Sequence, residues 1–82
     1  MVKVRKITMK TLSEYLNMPY KMEIVPDTVE GGYVAFYPEL PGCITCGETV
    51  EAAAANAIDA KREWLEAAIE DGIKIFCPNL SV

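Results

Sequence analysis

Three short stretches of the chain have hydrophobic patterns typical of β-strands. Residues 20–25 alternate between apolar and charged side chains, which indicates a strand with one buried face, and a proline follows them. Residues 33–37 are apolar throughout, which indicates a central strand packed on both faces. Residues 43–47 are short and β-prone. Gly31 and Gly32 separate the first two stretches, so a turn is predicted there.

Two further stretches have the three-to-four spacing of amphipathic helices. The first covers residues 8–17 and ends before a proline. The second is predicted to begin after Thr49, a favourable N-cap, and to run to about Asp71, because Gly72 is a typical C-terminal cap. Charged side chains occupy most of one side of this helix, and apolar side chains form a broad stripe on the other. The stripe comprises Val50, Ala53, Ala54, Ala57, Ile58, Trp64, Leu65, Ala68 and Ile69.

The order of the predicted elements is α-β-β-β-α, and a short fourth strand over residues 73–76 is an open alternative. Three antiparallel strands that present one face to a long helix form a two-layer unit. We therefore predict an α+β fold in which a three-stranded antiparallel sheet packs on one long helix. No internal repeat or linker interrupts the chain, so residues 1–82 are predicted to form a single domain, with residues 1–17 as an N-terminal helical extension.

Composition limits the class of protein and its location. The 82-residue chain is 51% apolar and 24% charged, which fits one folded domain rather than a disordered tail. No stretch reaches the roughly 18 uncharged apolar residues of a membrane span, and the N-terminus is too polar for a signal-peptide core. We therefore predict a soluble, cytoplasmic protein.

The titratable residues do not form a recognisable catalytic set. Histidine is absent, which removes the commonest general base, the Ser-His and Cys-His nucleophile pairs, and every His-ligated metal site. A two-metal nuclease needs clustered carboxylates around a pocket, whereas Asp27, Glu30, Glu39 and Glu48 fall mostly in predicted turns and connectors. We predict that the chain is not an enzyme and that it needs no metal or cofactor.

The three cysteines are predicted to be reduced thiols, because their number is odd and no secretion signal is present. Cys43 and Cys46 have the C-x-x-C spacing of redox motifs, but they fall in a predicted strand rather than at a helix N-terminus. Two residues three apart on a strand face opposite sides and lie roughly 10 Å apart, beyond the reach of a disulfide. A zinc site that included Cys77 would still lack a fourth Cys or His ligand.

Charge is distributed unevenly along the chain. Residues 1–21 carry five basic residues and one acidic residue, whereas residues 22–82 carry three basic and eleven acidic residues. An acidic body repels nucleic-acid phosphates and suits a basic partner, although surface charge also keeps a domain soluble. Domains that bind double-stranded RNA share the α-β-β-β-α order, but they need basic residues where the second helix begins. Here that position has the acidic segment GETVE.

A set of short motifs runs through most of the chain. They are Gly31-Gly32-Tyr33, Pro38-Glu39-Leu40-Pro41-Gly42-Cys43, Gly47-Glu48-Thr49 and a helix that contains Trp64-Leu65-Glu66 and ends at Asp71-Gly72. Together they resemble the HicB antitoxin family over about residues 18–76.

The resemblance implies a truncated ribonuclease-H-like unit without nuclease chemistry. It also implies an antitoxin that neutralises a basic toxin of the HicA type, which cleaves messenger RNA and has a dsRNA-binding-like fold. Many family members carry a C-terminal DNA-binding region, but this sequence ends six residues after Phe76, so direct DNA binding is not expected. Two alternatives stay open: a solitary structural or regulatory domain without a toxin, and a degenerate ribonuclease-H-like nuclease.

An acidic and aromatic rim near the strand connectors is the candidate contact surface for a basic partner. It consists of Glu30, Tyr37, Glu39, Leu40 and Glu48. An ordinary solvated loop is the alternative interpretation of these residues.

The second half of the long helix is a candidate interface for a homo-oligomer, either a dimer or a tetramer. A helix over residues 50–71 is about 33 Å long, whereas a six-residue strand spans about 20 Å, so the helix projects beyond the sheet. Lys61 falls near the centre of the apolar stripe and is interpreted as the end of the sheet-covered part. The alternative is a monomer whose terminal segments cover the helix end. The predicted interface consists of Lys61, Trp64, Leu65, Ala68 and Ile69.

Overall fold

The structure, a computed structural model, describes residues 11–78. Two helices and three strands occur in these residues, and the predicted α+β class and α-β-β-β-α order are confirmed. The strands form one antiparallel sheet in the order β1-β2-β3. The elements are α1 (Leu12–Leu16), β1 (Glu23–Pro26), β2 (Tyr33–Phe36), β3 (Ile44–Gly47) and α2 (Val50–Asp71).

A capping box fixes the start of the short helix α1. The Thr11 hydroxyl accepts a hydrogen bond from the Glu14 backbone N–H at 3.2 Å, and the Glu14 carboxylate accepts one from the Thr11 N–H at 2.7 Å. Asn17 is the C-cap. The helix is therefore shorter than the predicted 8–17, of which residues 8–10 lie outside the described part of the chain.

Strand β1 begins and ends later than the alternation of side chains predicted. It starts at Glu23 and includes Pro26, which pairs with Tyr33 of β2. The prediction that the strand stops before the proline is wrong, because β1 is an edge strand. The neighbouring Asp27 N–H donates to the Gly32 carbonyl at 2.9 Å. Backbone N–H groups along an antiparallel strand point alternately towards and away from the partner strand, so the nitrogen of Pro26 points away from β2. The missing N–H of the proline therefore removes no hydrogen bond of the sheet.

The bounds of α2 are those that the sequence predicts. The Thr49 hydroxyl accepts a hydrogen bond from the Ala52 N–H at 3.0 Å, which satisfies one of the free donors of the first turn. At the other end Gly72 has φ +69°, a left-handed conformation that favours glycine. The N–H of Ile73 then donates to the Ala68 carbonyl at 2.9 Å, which closes the helix.

Helix α2 lies close against strand β3 because Gly47 has no side chain. A Cβ atom at Gly47 would collide with the backbone nitrogen of Ala53 in the first turns of α2. The Asn56 side chain donates a hydrogen bond to the Cys46 carbonyl at 2.8 Å and joins the helix to the same strand.

The core lies between the inner face of the sheet and α2. Ala35 of the central strand and Ala53, Ala57 and Leu65 of the helix are almost completely buried. Helix α1 contacts α2. Side chains of α1 and of the segment after α2 pack against the core: Leu12, Tyr15, Leu16 and Ile75. None of the buried side chains among residues 11–78 is charged, and their polar groups are limited to the hydroxyls of Tyr20 and Tyr37 and the thiol of Cys43.

Residues 73–76 do not form the alternative fourth strand that their apolar pattern allows. The left-handed cap at Gly72 redirects the chain, and the hydroxyl of the buried Tyr20 donates a hydrogen bond to the Phe76 carbonyl at 2.7 Å. The Phe76 carbonyl therefore accepts a hydrogen bond from a side chain, whereas in a fourth strand it would accept one from the backbone of a neighbouring strand. Within the described residues, no helix is both long and apolar enough to cross a membrane.

Candidate partner-binding site

Exposed carboxylates gather at the end of the sheet where β2 begins and β3 ends. Asp27, Glu30 and Glu48 line a shallow depression of about 280 Å³ there, together with Gly31, Gly32, Cys46 and Gly47. One oxygen of the Asp27 carboxylate accepts hydrogen bonds from the N–H groups of Val29 and Glu30 at 3.0 and 3.1 Å, which fixes the turn between β1 and β2. Glu30 and Glu48 are exposed and can contact another molecule.

The connector between β2 and β3 lies at the opposite end of the sheet. Its backbone folds on itself: the Leu40 N–H donates to the Tyr37 carbonyl at 3.0 Å, and the Cys43 N–H donates to the Leu40 carbonyl at 2.9 Å. Tyr37 and Leu40 are buried by this turn. Glu39 is half-buried, and its carboxylate accepts a hydrogen bond from the Lys21 N–H at 3.2 Å.

The residues predicted to form one acidic and aromatic rim therefore fall into two groups. Glu30 and Glu48 lie together, whereas Tyr37, Glu39 and Leu40 lie at the far end of β2, whose four residues span about 13 Å. The motif places these residues close in sequence, but β2 and β3 carry them to opposite ends of the sheet. Asp27 belongs with Glu30 and Glu48 and was not among the predicted contact residues.

A longer acidic surface runs along the exposed side of α2. At 100° per residue five of its six carboxylates fall within an arc of about 120°, with the Arg62 side chain among them, whereas Asp71 at the end of the helix lies outside the arc. Arg62 pairs with Glu66 at 3.9 Å, an exposed i,i+4 contact. We call this set the acidic stripe: Glu51, Asp59, Glu63, Glu66 and Glu70. Residues 11–78 contain twelve carboxylates but only four cationic side chains.

Lys61 lies within the apolar stripe of α2, where its charge contacts an aromatic ring. Its ammonium group lies 5.3 Å from the centre of the Tyr37 ring, which is a cation–π contact, and the residue is half-buried. Burial raises the pKa of Tyr37, with a smaller contribution from Cys43. Burial also raises the pKa of the Cys43 thiol, and the charge of Lys61 partly opposes that shift.

The end of α2 contains an apolar groove. The groove has a volume of about 370 Å³ and is lined by Pro41, Trp64, Ala67, Ala68, Ile73, Lys74 and Phe76. The indole N–H of Trp64 donates to the Pro41 carbonyl at 2.8 Å, which joins α2 to the β2–β3 connector. Sequence reasoning identified Trp64 and Ala68 and offered Ile73 as a packing partner of the helix end, but it did not place Phe76 here, because that position depends on the reversal of the chain at Gly72.

The predicted oligomer residues differ in how far this protomer already covers them. Leu65 and Ala68 are buried within the protomer itself. Lys61, Trp64 and Ile69 are half-buried. The second half of α2 therefore does not present a continuous apolar surface to a second copy.

The cysteines lie on different sides of the structure. Cys43 is buried, whereas Cys46 and Cys77 are exposed, and all three thiols are free. The prediction that Cys43 and Cys46 face opposite sides is confirmed by this difference in burial. Within residues 11–78, no three His, Cys, Asp or Glu side chains are arranged to hold a metal ion.

Comparison with known proteins identifies the family. A family model described as HicB_like antitoxin of bacterial toxin-antitoxin system matches residues 20–80. Antitoxin HicB 1 of Photorhabdus laumondii is 39% identical over 63 residues, which cover 77% of this chain and 40% of that protein. A UPF0150 protein of Synechocystis is 43% identical over 51 residues, which cover 62% of this chain and 68% of that protein. Because the family model matches well over half of the chain, the protein belongs to the HicB-like antitoxin family.

Proposed function

We propose that the chain is an antitoxin that binds and neutralises a small basic toxin of the HicA type, a ribonuclease that cleaves messenger RNA. Membership in the HicB-like antitoxin family carries the proposal. The aligned segment spans only two fifths of the related Antitoxin HicB 1. The role is therefore proposed for this domain alone and is argued from the surfaces that this domain presents. In this role the chain acts in the cytoplasm by binding, without catalysis.

The charge of the described residues supports a basic protein as the partner. The acidic stripe and the carboxylates around Glu30 and Glu48 produce a negative potential over one side of α2 and one end of the sheet. Such a surface steers a basic protein towards it and repels the phosphates of RNA. The antitoxin would therefore compete with the RNA substrate for the basic surface of the toxin.

The proposed contact surface consists of the acidic stripe together with Glu30 and Glu48. Tyr37 and Leu40 are buried and support the connector rather than the contact. Glu39 is half-buried, and its carboxylate accepts a hydrogen bond from the Lys21 N–H. A charge reversal at Glu39 would therefore alter the local structure as well as the charge. Glu30 and Glu48 are the better positions for a test of the rim.

The experiment uses the purified chain and, as the probe, a small basic ribonuclease of the HicA type. We expect a stoichiometric complex that stops RNA cleavage by that protein. Asp59→Asn together with Glu63→Gln removes two charges from the acidic stripe and should slow association about tenfold at low salt. Ser13→Lys together with Asn17→Lys changes net charge by the same amount on exposed positions of the α1 region, and should change the rate about twofold or less.

Two outcomes contradict the proposal. The first is the absence of both binding and inhibition at equimolar concentrations. The second is metal-dependent RNA cleavage by the purified chain, which would favour the nuclease alternative. Equal slowing by both double variants would assign the effect to net charge and reject the stripe as the contact surface.

A further inference from the structure

The apolar groove at the end of α2 has walls that are still exposed in the protomer. Ile73 is 54% exposed and Phe76 is 53% exposed, and both line the groove. On the helix side, Ala67 is exposed and Trp64 is half-buried. Large apolar side chains that gather at one concave and exposed site are typical of a binding surface. The groove, with a volume of about 370 Å³, is therefore a candidate site for an apolar side chain of another molecule.

Carboxylates surround the helix side of this groove. Glu63 precedes Ala67 by four positions on α2. Glu70 and Asp71 follow Ala67 by three and four positions, so all three carboxylates are neighbours of Ala67 on the helix surface. They are exposed, and none of them takes part in an ion pair within residues 11–78. Since Glu63 and Glu70 belong to the acidic stripe, the groove adjoins that surface.

The combination of an apolar groove and a carboxylate margin selects the occupant. We infer that the groove binds one large apolar side chain of the basic toxin, from a segment in which lysine or arginine flanks that side chain. The inference rests on the proposed function and names the part of the toxin that the antitoxin holds. The apolar side chain fits the walls of the groove, and the flanking cations reach the carboxylates around Ala67.

Charge makes other protein segments poorer occupants of this groove. An acidic segment would place its carboxylates against those around Ala67. A second copy of this chain would also bring mostly carboxylates, because residues 11–78 contain twelve of them and only four cationic side chains. A segment that combines an apolar side chain with cations satisfies both features of the site.

Lys74 determines how the toxin segment lies in the groove. Its ammonium group lies 5.4 Å from the centre of the Phe76 ring, so this cation belongs to the wall formed by the chain after α2. Cations of the toxin are repelled near Lys74 and attracted by the carboxylates of α2. The segment therefore places its cations over α2 and its apolar side chain against Trp64 and Phe76.

The groove and the acidic stripe should govern different rates of the same complex. Attraction between charges acts over a long range and raises the association rate, whereas most short-range contacts act on the dissociation rate. Loss of a groove wall should therefore shorten the lifetime of the complex and leave its association rate nearly unchanged. Neutralisation of the stripe should mainly slow association.

The experiment measures both rates for the full chain and a small basic ribonuclease of the HicA type. Ile73→Ser removes an exposed wall of the groove and should raise the dissociation rate about tenfold. Ile44→Ser is the matched control, because Ile44 is 60% exposed on the sheet face that points away from α2. It should change the dissociation rate about twofold or less. Circular dichroism checks that both variants are folded, which their exposed positions make the expected result.

A change of charge at Lys74 tests the sign of the occupant. Lys74→Gln removes the cation beside the groove and should tighten the complex about threefold, because it removes repulsion of the toxin's lysines and arginines. Lys21→Gln makes the same change in net charge at an exposed position outside the groove, and should tighten the complex less. A complex weakened by Lys74→Gln would show that the groove holds an anionic group and would overturn the inference.

Trp64 reports directly on the groove, because it is the only tryptophan of the chain. In a chain labelled with 5-fluorotryptophan, the fluorine NMR signal should shift when unlabelled toxin is added. The signal of the free chain should not depend on its concentration, and it should be the same in a chain that ends at Pro78. A shift with concentration would assign the groove to a second copy, and a shift on removal of residues 79–82 would assign it to the chain's own end.

Two results separate a failure of this inference from a failure of the proposed function. Equal dissociation rates for Ile73→Ser and Ile44→Ser, in a complex that still forms and blocks RNA cleavage, would reject the groove and keep the antitoxin role. The absence of any binding to the toxin would reject the antitoxin role, and the inference that rests on it would fall as well.

Discussion

Gly47 is the residue at which the approach of α2 to the sheet can be tested most directly. Its Cα lies so close to the first turns of α2 that an added Cβ would collide with backbone atoms of Ala52 and Ala53, which cannot rotate away. We expect Gly47→Ala to lower the free energy of unfolding by about 2 kcal/mol, because the helix must shift to admit the methyl group. Urea denaturation followed by circular dichroism measures this change.

Gly31→Ala is the matched control for Gly47→Ala. Gly31 has φ +87° but open space around its Cα, so alanine there meets conformational strain without a collision, with a cost of about 1 kcal/mol. An equal or larger loss for Gly31→Ala would contradict the claim that close packing of α2 on β3 is the tighter constraint.

Tyr20 makes the stability of the fold sensitive to alkaline pH. Burial, aided by the nearby Cys77, raises the pKa of Tyr20 from 10.0 to about 12. The unfolded chain therefore loses the phenolic proton first, so this contribution is complete below pH 10 and is lost as pH rises from about 10 to about 12. Burial raises the pKa of Tyr37 as well, which acts in the same direction.

Tyr20→Phe tests this pH dependence. The variant removes both the titrating group and the hydrogen bond to the Phe76 carbonyl, so it should lose about 1 kcal/mol at neutral pH. Between pH 10 and pH 12 its stability should then fall less steeply than that of the wild type. Denaturation curves at a series of pH values measure both effects, and parallel curves for the two proteins would argue against the role of Tyr20.

At the scale of elements, an indole hydrogen bond is one of the contacts that join α2 to the β2–β3 connector. Trp64→Phe keeps an aromatic ring in place but removes the N–H that donates to the Pro41 carbonyl. We expect a loss of about 1 kcal/mol in unfolding free energy and faster alkylation of the buried Cys43, which ends the same connector. Mass spectrometry of alkylated protein measures the rate at Cys43.

Ile69→Val provides the comparison for Trp64→Phe. Ile69 is half-buried on the same helix, and its shortening costs about 1 kcal/mol through packing alone. It should leave the alkylation rate of Cys43 unchanged. Similar acceleration in both variants would mean that general loosening of α2, and not the bond to Pro41, exposes the connector.

The sequence predicts the bounds of α2 better than those of the strands. Thr49 and Gly72 fix α2 through bonds made within a few residues, and such local signals are visible in the sequence. The start of β1 depends instead on where β2 supplies partners, which is a long-range property. The apolar run at residues 73–76 resembles a strand for the same reason: its pattern does not show that the Tyr20 hydroxyl binds its backbone.

At the scale of the whole molecule, the candidate site shows what sequence spacing leaves undetermined. Glu30 and Glu48 come together although 18 positions separate them, whereas Glu39, which lies between them in sequence, is at the other end of the sheet. The acidic balance of residues 22–82 could be counted directly, but its concentration along one side of α2 required the helix. Which side chains lie on each face of the sheet required the strand register, because residues 33–37 are apolar on both sides.

Added salt should slow the binding of a basic toxin to the acidic stripe. The stripe attracts a basic protein through unlike charges, and dissolved ions screen attraction between exposed groups. Residues 11–78 contain twelve carboxylates and four cationic side chains, so the attraction extends beyond any single ion pair.

Association rates with the toxin, measured from low to near-physiological salt, test this dependence. We expect the on-rate to fall about tenfold or more over this range. Asp59→Asn together with Glu63→Gln should make this fall shallower, whereas Ser13→Lys together with Asn17→Lys should leave its slope nearly unchanged, because only the first pair lies in the acidic stripe. An on-rate that does not change with salt would show that the charges of the stripe do not guide the association.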